Sequence, residues 1–238
     1  MTLGEFLDLA RLFVPGAKKN QVTDDQLKIV LNAGALDIVS FTRCLDRVVY
    51  FDLVDGQQEY LLSDVAPDFL SMDDEGIWVY DGSRYKKCYP KTRKWLDEEY
   101  INWRGAGEST PIYYYQEENA IGFYKTPSTS RTNGALMYTI RKPETMVENT
   151  DVAFHVYGDK KTEISSLSVL NESVLDYTKW KLSEPLSKPL GEIISRRGDY
   201  YSAMKERMKR IKKRADINKD GDTKRRQRPS WAIRGSYR

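Results

Sequence analysis

One stretch of the chain has the side-chain spacing of a calcium-binding loop. Asp216 to Gly221 follows the D-x-N-x-D-G pattern, in which oxygen ligands alternate along the chain and a glycine lies where the loop turns. The twelfth position of this loop is Gln227, which cannot supply the bidentate carboxylate that calcium favours, and the basic residues beside it repel a cation. The sequence therefore predicts a solvated turn here and no metal site.

Two acidic clusters and one histidine are the other candidates for acid–base chemistry. The clusters are Asp73-Asp74-Glu75 and Asp97-Glu98-Glu99, and neighbouring carboxylates shift each other's pKa. Neither cluster lies in a nucleotide-binding or metal-binding motif, which favours solvated surfaces. The single histidine, His155, lies in an apolar run without the orienting partner that a general base needs. We therefore predict that the protein is not an enzyme and uses no catalytic residue, no metal and no cofactor.

Further features bear on other classes of protein. The chain has no glycine-rich phosphate-binding loop, and its two cysteines, Cys44 and Cys88, predict isolated buried thiols rather than a disulfide framework. It has no apolar run of about 18 residues, which argues against a membrane-spanning helix. Acidic Glu5 and Asp8 lie where a signal peptide has a basic start. These features predict a soluble protein that is not exported by that route and has no membrane partner.

Charge is distributed unevenly along the chain. Residues 205–238 contain fourteen Lys and Arg against four Asp and Glu, so this segment has ten net positive charges in a chain whose total is +3. The residues before it are therefore near −7. Because net charge governs association more than fold, this separation indicates different partners for the two parts.

The basic segment has three interpretations. Its side chains could neutralise nucleic-acid phosphates, an extended arm could dock on an acidic protein surface, or the segment could be solvated and without function. Aromatic anchors favour the protein partner, because interface hot spots are rich in Trp, Tyr and Arg. The candidate docking residues of the arm are Lys224, Arg225, Arg226, Arg228, Trp231, Ile233, Arg234, Tyr237 and Arg238. The basic face of the preceding helix adds Arg207, Arg210, Lys213 and Arg214.

Hydrophobic periodicity predicts two helices before and two helices after a β-rich middle. Leu3 to Val14 and the segment from a Thr23 N-cap to about Leu45 have helical period, which returns over Leu167 to Trp180 and over Pro189 to Ile211. The predicted fold class is α+β: a bundle of these four helices with an inserted antiparallel β-rich segment and an extended basic C-terminal arm. The predicted bounds are 1–46 and 146–215 for the helices, 47–145 for the insertion and 216–238 for the arm.

Turn residues predict the connections within the middle. Asp55-Gly56 and Asp81-Gly82 are strong hairpin turns, and Glu117-Glu118-Asn119 links two further strands. Many of the sixteen tyrosines and five tryptophans lie in this region. A stacking platform for single-stranded nucleic acid needs interleaved Lys and Arg, whereas the middle has many carboxylates, so contacts with other protein subunits are the more economical use. The candidate interface residues are Trp78, Tyr80, Tyr113 and Tyr115.

Several segments of the middle resemble a known family in their order and spacing. They are Glu59 to Leu62, Ile77 to Gly82, Gly107 to Tyr115, Ile121 to Pro127 and Ala135 to Pro143. With the flanking helices they are similar to the β-inserted head-to-tail adaptor (connector) proteins of tailed bacteriophages, over roughly Leu3 to Met208. The chain departs from that pattern at Leu62-Ser63, where a proline after the leucine is more usual, and in its long basic arm.

The resemblance implies a structural protein of the virion neck, made in the host cytoplasm. Its copies would form a homo-oligomeric ring, a dodecamer, beneath the portal, and the ring would continue the channel through which DNA passes without sequence-specific binding. The C-terminal arm would dock on the portal protein, and the aromatic middle would contact neighbouring subunits and the tail or neck proteins. The alternative is a nucleic-acid-binding protein that uses its basic arm, and an enzyme of unknown chemistry is the least favoured.

Overall fold

The computed structural model describes residues 1–14, 17–18, 21–105 and 107–182, and the single positions 202, 206 and 209. This part of the chain forms two compact units. The first unit contains Met1–Cys44 and the described residues from Pro143 onward, and the second contains Leu45–Lys142. The domain bounds predicted from the sequence stay predictions.

The elements are numbered in chain order. The α-helices are α1 (Leu3–Phe13), α2 (Asp24–Thr42), α3 (Leu62–Val65), α4 (Arg93–Glu99) and α5 (Asn171–Leu182), and short 3₁₀ helices cover Trp103–Gly105 and Ser165–Leu170. The strands are β1 (Asp46–Leu53), β2 (Glu59–Leu61), β3 (Phe69–Tyr80), β4 (Tyr85–Lys87), β5 (Tyr89–Pro90), β6 (Tyr113–Glu117), β7 (Ala120–Tyr124), β8 (Arg131–Arg141), β9 (His155–Val156) and β10 (Asp159–Glu163).

Capping boxes begin both N-terminal helices. In α1 the Thr2 hydroxyl accepts the Glu5 N–H, and the Glu5 carboxylate accepts the Thr2 N–H. In α2 Thr23 and Gln26 make the same reciprocal pair, which confirms the predicted N-cap. These side chains satisfy N–H groups that have no partner within the helix, so each helix has a defined start.

The first unit packs α1, α2 and α5 against one another. α2 and α5 approach closely at Gly34, where an added Cβ atom would lie 2.9 Å from Cδ1 of Tyr177. The stretch between Lys142 and α5 also joins this core, because Val152, Ala153 and Phe154 are buried and β9 pairs with β10 as a hairpin. Helices and a hairpin therefore share the unit.

The predicted helical bundle with a β insertion is wrong, and only the α+β class is partly consistent with the structure. The described residues form five α-helices and three sheets, and α3 and α4 lie within Leu45–Lys142. The sequence pattern misses the β9–β10 hairpin because two residues of β9 are too few to show alternation. The predicted fourth helix, Pro189 to Ile211, lies outside the described residues apart from three single positions.

Two four-stranded sheets form the second unit. Sheet 1 has the strand order β1-β8-β3-β4, and sheet 2 has the order β2-β7-β6-β5. Alternate residues of both sheets enter one buried core, where the rings of Phe51 and Tyr60 lie 5.5 Å apart and those of Tyr60 and Phe123 lie 5.7 Å apart. The two sheets therefore pack face to face, as in a β-sandwich.

Two of the three hairpins predicted for this unit are confirmed, and one is wrong. β3 pairs with β4 across Asp81-Gly82, and β6 pairs with β7 across Glu118-Asn119, which confirms both of these hairpins. Asp55-Gly56 also turns the chain, with Gly56 at φ +70°, but β1 pairs with β8 in sheet 1 whereas β2 pairs with β7 in sheet 2. The predicted hairpin at Asp55-Gly56 is wrong, because a turn specifies a local reversal and not the sheet that each strand joins.

Candidate assembly surfaces

Alternation along sheet 1 separates a buried face from an outward one. Ile77 and Val79 of β3 enter the core, so Trp78 and Tyr80 point away from it. The strand register places six exposed or partly exposed apolar or aromatic side chains on this outward side, around the buried Leu136. We call these six residues the aromatic face: Val48, Tyr50, Trp78, Tyr80, Tyr85 and Tyr138. Val48 and Tyr50 are 43% and 55% exposed, and the other four are partly exposed.

Contacts within the aromatic face hold its rings in place. The Tyr85 ring meets those of Tyr80 and Tyr50 edge to face, with centroids 5.2 and 6.3 Å apart. The Arg131 guanidinium lies 4.7 Å from the centre of the Tyr80 ring, and the Tyr85 hydroxyl donates to the Asn133 carbonyl at 2.7 Å. Rings that are already ordered lose little conformational entropy on binding, which suits a contact surface.

The outward face of sheet 2 is covered by the chain itself. α4 and the following 3₁₀ helix pack on it, and the shared cluster contains Trp95, Leu96, Tyr100, Trp103, Tyr113, Tyr115 and Tyr124. Tyr115 is only 2% exposed and Tyr113 is half-buried. The structure therefore separates the four predicted interface residues: Trp78 and Tyr80 lie on the aromatic face, whereas Tyr113 and Tyr115 lie beneath α4.

A polar network fastens α4 to sheet 2 around Tyr115. The Tyr115 hydroxyl donates to Glu59 Oε1 at 2.8 Å, and burial together with this carboxylate raises the pKa of Tyr115 to about 12. The Arg93 guanidinium lies 4.9 Å from the centre of the Tyr115 ring, pairs with Glu59, and reaches Glu117 Oε2 at 2.9 Å. Gly122 gives the ring its space, because a Cβ atom there would lie 2.1 Å from Tyr115 Cζ.

The acidic cluster at residues 97–99 contains a structural carboxylate. Asp97 Oδ1 accepts the indole N–H of Trp103 and a guanidinium N–H of Arg104, each at 2.7 Å. The hydrogen bonds from Arg104 and Trp103 lower the pKa of Asp97. Asp97 therefore holds the turn after α4, while Glu98 and Glu99 are exposed.

The other acidic cluster lies in a bulge of β3. Met72 pairs with Thr139 and Ile77 pairs with Met137, so residues 73–76 oppose a single residue of β8. Gly76 adopts φ +64° at the end of the bulge, and a Cβ atom there would lie 2.8 Å from the Tyr114 hydroxyl. The bulge carries Asp73, Asp74 and Glu75 out of the regular ladder, and Lys87 lies 3.7 Å from Glu75.

His155 and the cysteines are part of the packing. His155 is buried, with Nε2 3.3 Å from Glu144 Oε1 and Nδ1 3.3 Å from the Val152 carbonyl. Cys88 is also buried, which raises the pKa of its thiol to about 12, and Cys44 is half-buried and not part of a disulfide. Within the described residues, no group of three or more His, Cys, Asp or Glu side chains could hold a metal ion.

Several predicted sites fall outside the described residues. They are the basic helix face (Arg207, Arg210, Lys213 and Arg214), the loop at Asp216 to Gly221 and every docking residue of the arm from Lys224 to Arg238. In the part of the chain that the structure does describe, no helix is long and apolar enough to span a membrane.

Sequence reasoning missed four members of the aromatic face: Val48, Tyr50, Tyr85 and Tyr138. Val48 and Tyr50 alternate with buried Val49 and Phe51, a pattern that marks two outward positions of one strand. Tyr85 follows the Asp81-Gly82 turn, and the hairpin register places it opposite Tyr80. Pairing across the hairpin would have identified Tyr85, but the long-range pairing of β1 with β8 gives no signal in the sequence.

Comparison with known proteins adds family evidence to this geometry. A family model described as SU10 adaptor protein matches residues 1–230, nearly the whole chain. No curated protein matches the chain. The family match confirms the resemblance to phage head-to-tail adaptors, and it indicates a structural component of a virion. The chain thus belongs to the SU10 adaptor protein family of structural phage adaptors.

Proposed function

We propose that the protein is the head-to-tail adaptor in the neck of a tailed phage virion. Its copies form a twelvefold ring under the portal, the ring continues the DNA channel, and the far side of the ring joins the tail or neck proteins. Residues 216–238 form the arm that docks on the portal protein. The observation that carries this proposal is the family match over residues 1–230, to which the open aromatic face adds a surface suited to assembly.

The aromatic face supports ring formation in particular. A subunit of a closed ring uses two different surfaces, one for each neighbour, and such interfaces are rich in Tyr and Trp. Trp78 and Tyr80 of β3 are partly exposed on this face, and Tyr50 of β1, the edge strand of the same sheet, is exposed. We assign these residues to contacts with a neighbouring subunit or with the tail.

The distribution of charge supports different roles for the arm and for the residues before position 205. The residues before 205 carry a net charge near −7, which limits attraction to DNA that has to slide through the channel. The arm combines basic residues with Trp231, Ile233 and Tyr237, so it can bury aromatic anchors on an acidic partner. DNA therefore passes the ring without sequence-specific binding.

Electron microscopy of the purified protein, alone and mixed with its portal, tests this function. We expect portal-bound rings from the full chain. Deletion from Lys219 onward should abolish binding to the portal while leaving the unfolding midpoint of the remaining protein unchanged. A chain that never enters a larger particle would overturn the adaptor function, and a truncated chain that still binds the portal would overturn the role of the arm.

A second candidate is a nucleic-acid-binding protein, which the ten net positive charges of residues 205–238 favour. Phosphate neutralisation releases counterions, so affinity for duplex DNA would fall steeply as salt is raised. A synthetic peptide of residues 205–238 provides the comparison. Tight DNA binding with a steep salt slope supports this candidate, whereas binding to the portal at physiological salt supports the adaptor.

A further inference from the structure

An open cleft lies at the start of α4, on one side of the sandwich. Its volume is about 540 Å³, and its lining includes Met72 of β3, Pro90 of β5, Tyr114 of β6 and Trp95 of α4. Lys91 also borders the cleft, with its ammonium 3.8 Å from the centre of the Trp95 ring. An open cleft lined by apolar rings, with one cation at its border, can receive an apolar side chain that has acidic neighbours.

A protruding apolar residue lies just beyond the other end of α4. Ile101 is 93% exposed, the largest exposed fraction of any large apolar side chain among the described residues. Its neighbours fix it in that position: the Tyr100 ring stacks on Tyr124 with centroids 4.6 Å apart, and the buried Trp103 donates its indole N–H to Asp97. Ile101 therefore cannot turn into the core of its own chain without breaking these anchors.

The geometry selects a second copy as the partner of Ile101. α4 spans the seven residues Arg93–Glu99, about 10 Å of helix, and it separates the cleft from Ile101 within one chain. Both features belong to the same compact unit, so each copy carries one protrusion and one cleft at different places. A protrusion that fits a cleft elsewhere on the same molecule produces head-to-tail contacts, which close into rings when the rotation allows.

The charges near Ile101 and those at the cleft are opposite in sign, which favours the same contact. Exposed Glu98 and Glu99 precede Ile101, whereas Lys91 lies at the cleft. When Ile101 of one copy approaches the cleft of the next, these carboxylates come near that ammonium. Opposite charges at the rim of an apolar contact favour the correct orientation of the two copies.

We propose that Ile101 of one copy inserts beside Trp95 in the cleft of a second copy, and that this heterologous contact joins neighbouring subunits. The inference rests on the proposed ring and names one contact that builds it. The aromatic face remains available for a further contact with a neighbouring subunit or with the tail.

Charge substitution on the full chain tests the contact. Ile101→Asp should weaken self-association by about tenfold or more, measured by sedimentation velocity and by the number of copies on the portal. Leu61→Asp is the matched control, since Leu61 is a 55% exposed apolar residue of the same unit, and it should associate like the wild type. Circular dichroism of both variants should match the wild type, because neither side chain is part of the core.

A cysteine pair gives a second, positive test. In a Cys44→Ser background, Ile101→Cys and Gln116→Cys variants should form a cross-linked dimer when mixed under mild oxidation, and neither should do so alone. Gln116 is exposed at the cleft, and a disulfide needs Cα atoms within about 7 Å. The absence of the mixed dimer, or assembly of Ile101→Asp at wild-type strength, would overturn the contact while leaving the ring intact. A wild-type chain that never assembles would overturn both proposals.

Discussion

The two sheets of the second unit have similar outward chemistry but opposite environments. The outward rings of sheet 2, such as Tyr115, are buried under α4, whereas those of sheet 1, such as Tyr50, face outward. The connections between strands explain the difference. β5 and β6 are parallel and need a crossover, and α4 lies in that crossover, while β3 and β4 are antiparallel and need only a tight turn.

This comparison teaches that aromatic composition alone does not identify an interface. A ring that the chain covers contributes to stability, and a ring that the chain leaves open is free to contribute to binding. The substitutions below are expected to separate these two roles, because covered rings should affect unfolding and open rings should affect assembly.

The largest effect is expected from truncating a covered ring. Tyr115→Ala should lower the free energy of unfolding by about 3–5 kcal/mol, because it leaves a cavity under α4 and removes one hydrogen-bond donor to Glu59. Tyr50→Ala on the open face should cost less than about 1 kcal/mol. Urea unfolding of both variants measures the contrast, and equal losses would contradict the proposed difference between the faces.

The next effect concerns the space beneath that ring. Gly122→Ala should cost about 1–3 kcal/mol, since the new methyl group would overlap the Tyr115 ring unless β7 or the ring moves. Gly107→Ala is the control, because nothing lies within 4 Å of an added Cβ atom there. The midpoints of thermal unfolding of the two variants should differ by several degrees. Equal midpoints would show that α4 and the Tyr115 ring move to accept the methyl group at little cost in stability.

Association with other proteins should depend on the open ring of Tyr50 and not on the covered ring of Tyr113. Tyr50→Ala should weaken association with neighbouring subunits or tail proteins by about 1 kcal/mol, since open aromatic residues are frequent contributors at interfaces. Tyr113→Phe, a change beneath α4, should leave association unaltered. Sedimentation velocity and the yield of portal-bound subunit rings provide the measurement. Loss of these assemblies only in the Tyr113 variant would reverse our assignment of the two faces.

The smallest expected effect is a pH dependence of the free energy of unfolding that arises from Asp97 in α4. Arg104 and Trp103 lower the pKa of Asp97 in the folded protein, so the folded state binds fewer protons than the unfolded chain at this carboxyl. The resulting stability is present above the unfolded pKa of about 3.9 and is lost as pH falls through the lower folded value. Asp97→Asn and Arg104→Gln should therefore both flatten the acid side of the stability profile, measured by urea unfolding between about pH 2 and 6.

Local signals in the sequence predicted local structure well. The Thr23 cap and the turns at Asp81-Gly82 and Glu118-Asn119 depend on residues close together in the chain, and the structure confirms each of them. These local signals do not specify which strands pair when they are far apart in the chain. Nothing near Asp55-Gly56 indicates that β1 joins β8 while β2 joins β7, and the two-residue β5 is too short to reveal a parallel pair and its crossover.

The candidate surfaces were predictable only as a list of aromatic residues. Trp78, Tyr80, Tyr113 and Tyr115 look alike in sequence, and only the position of α4 divides them into open and covered pairs. The Ile101 protrusion was not predicted, because its exposure depends on the anchoring of Tyr100 and Trp103 on sheet 2. The arm and the basic helix face stay predictions.

The interrupted first unit has a consequence for synthesis on the ribosome. Met1–Cys44 belongs with the chain from Pro143 onward, so the end of α2 emerges about 130 residues before the start of α5. At translation rates of about 5–20 residues per second, the apolar sides of these helices wait roughly 6–26 s for α5. During that interval the helices lack the packing partner that buries their apolar sides, and chaperones can limit their aggregation.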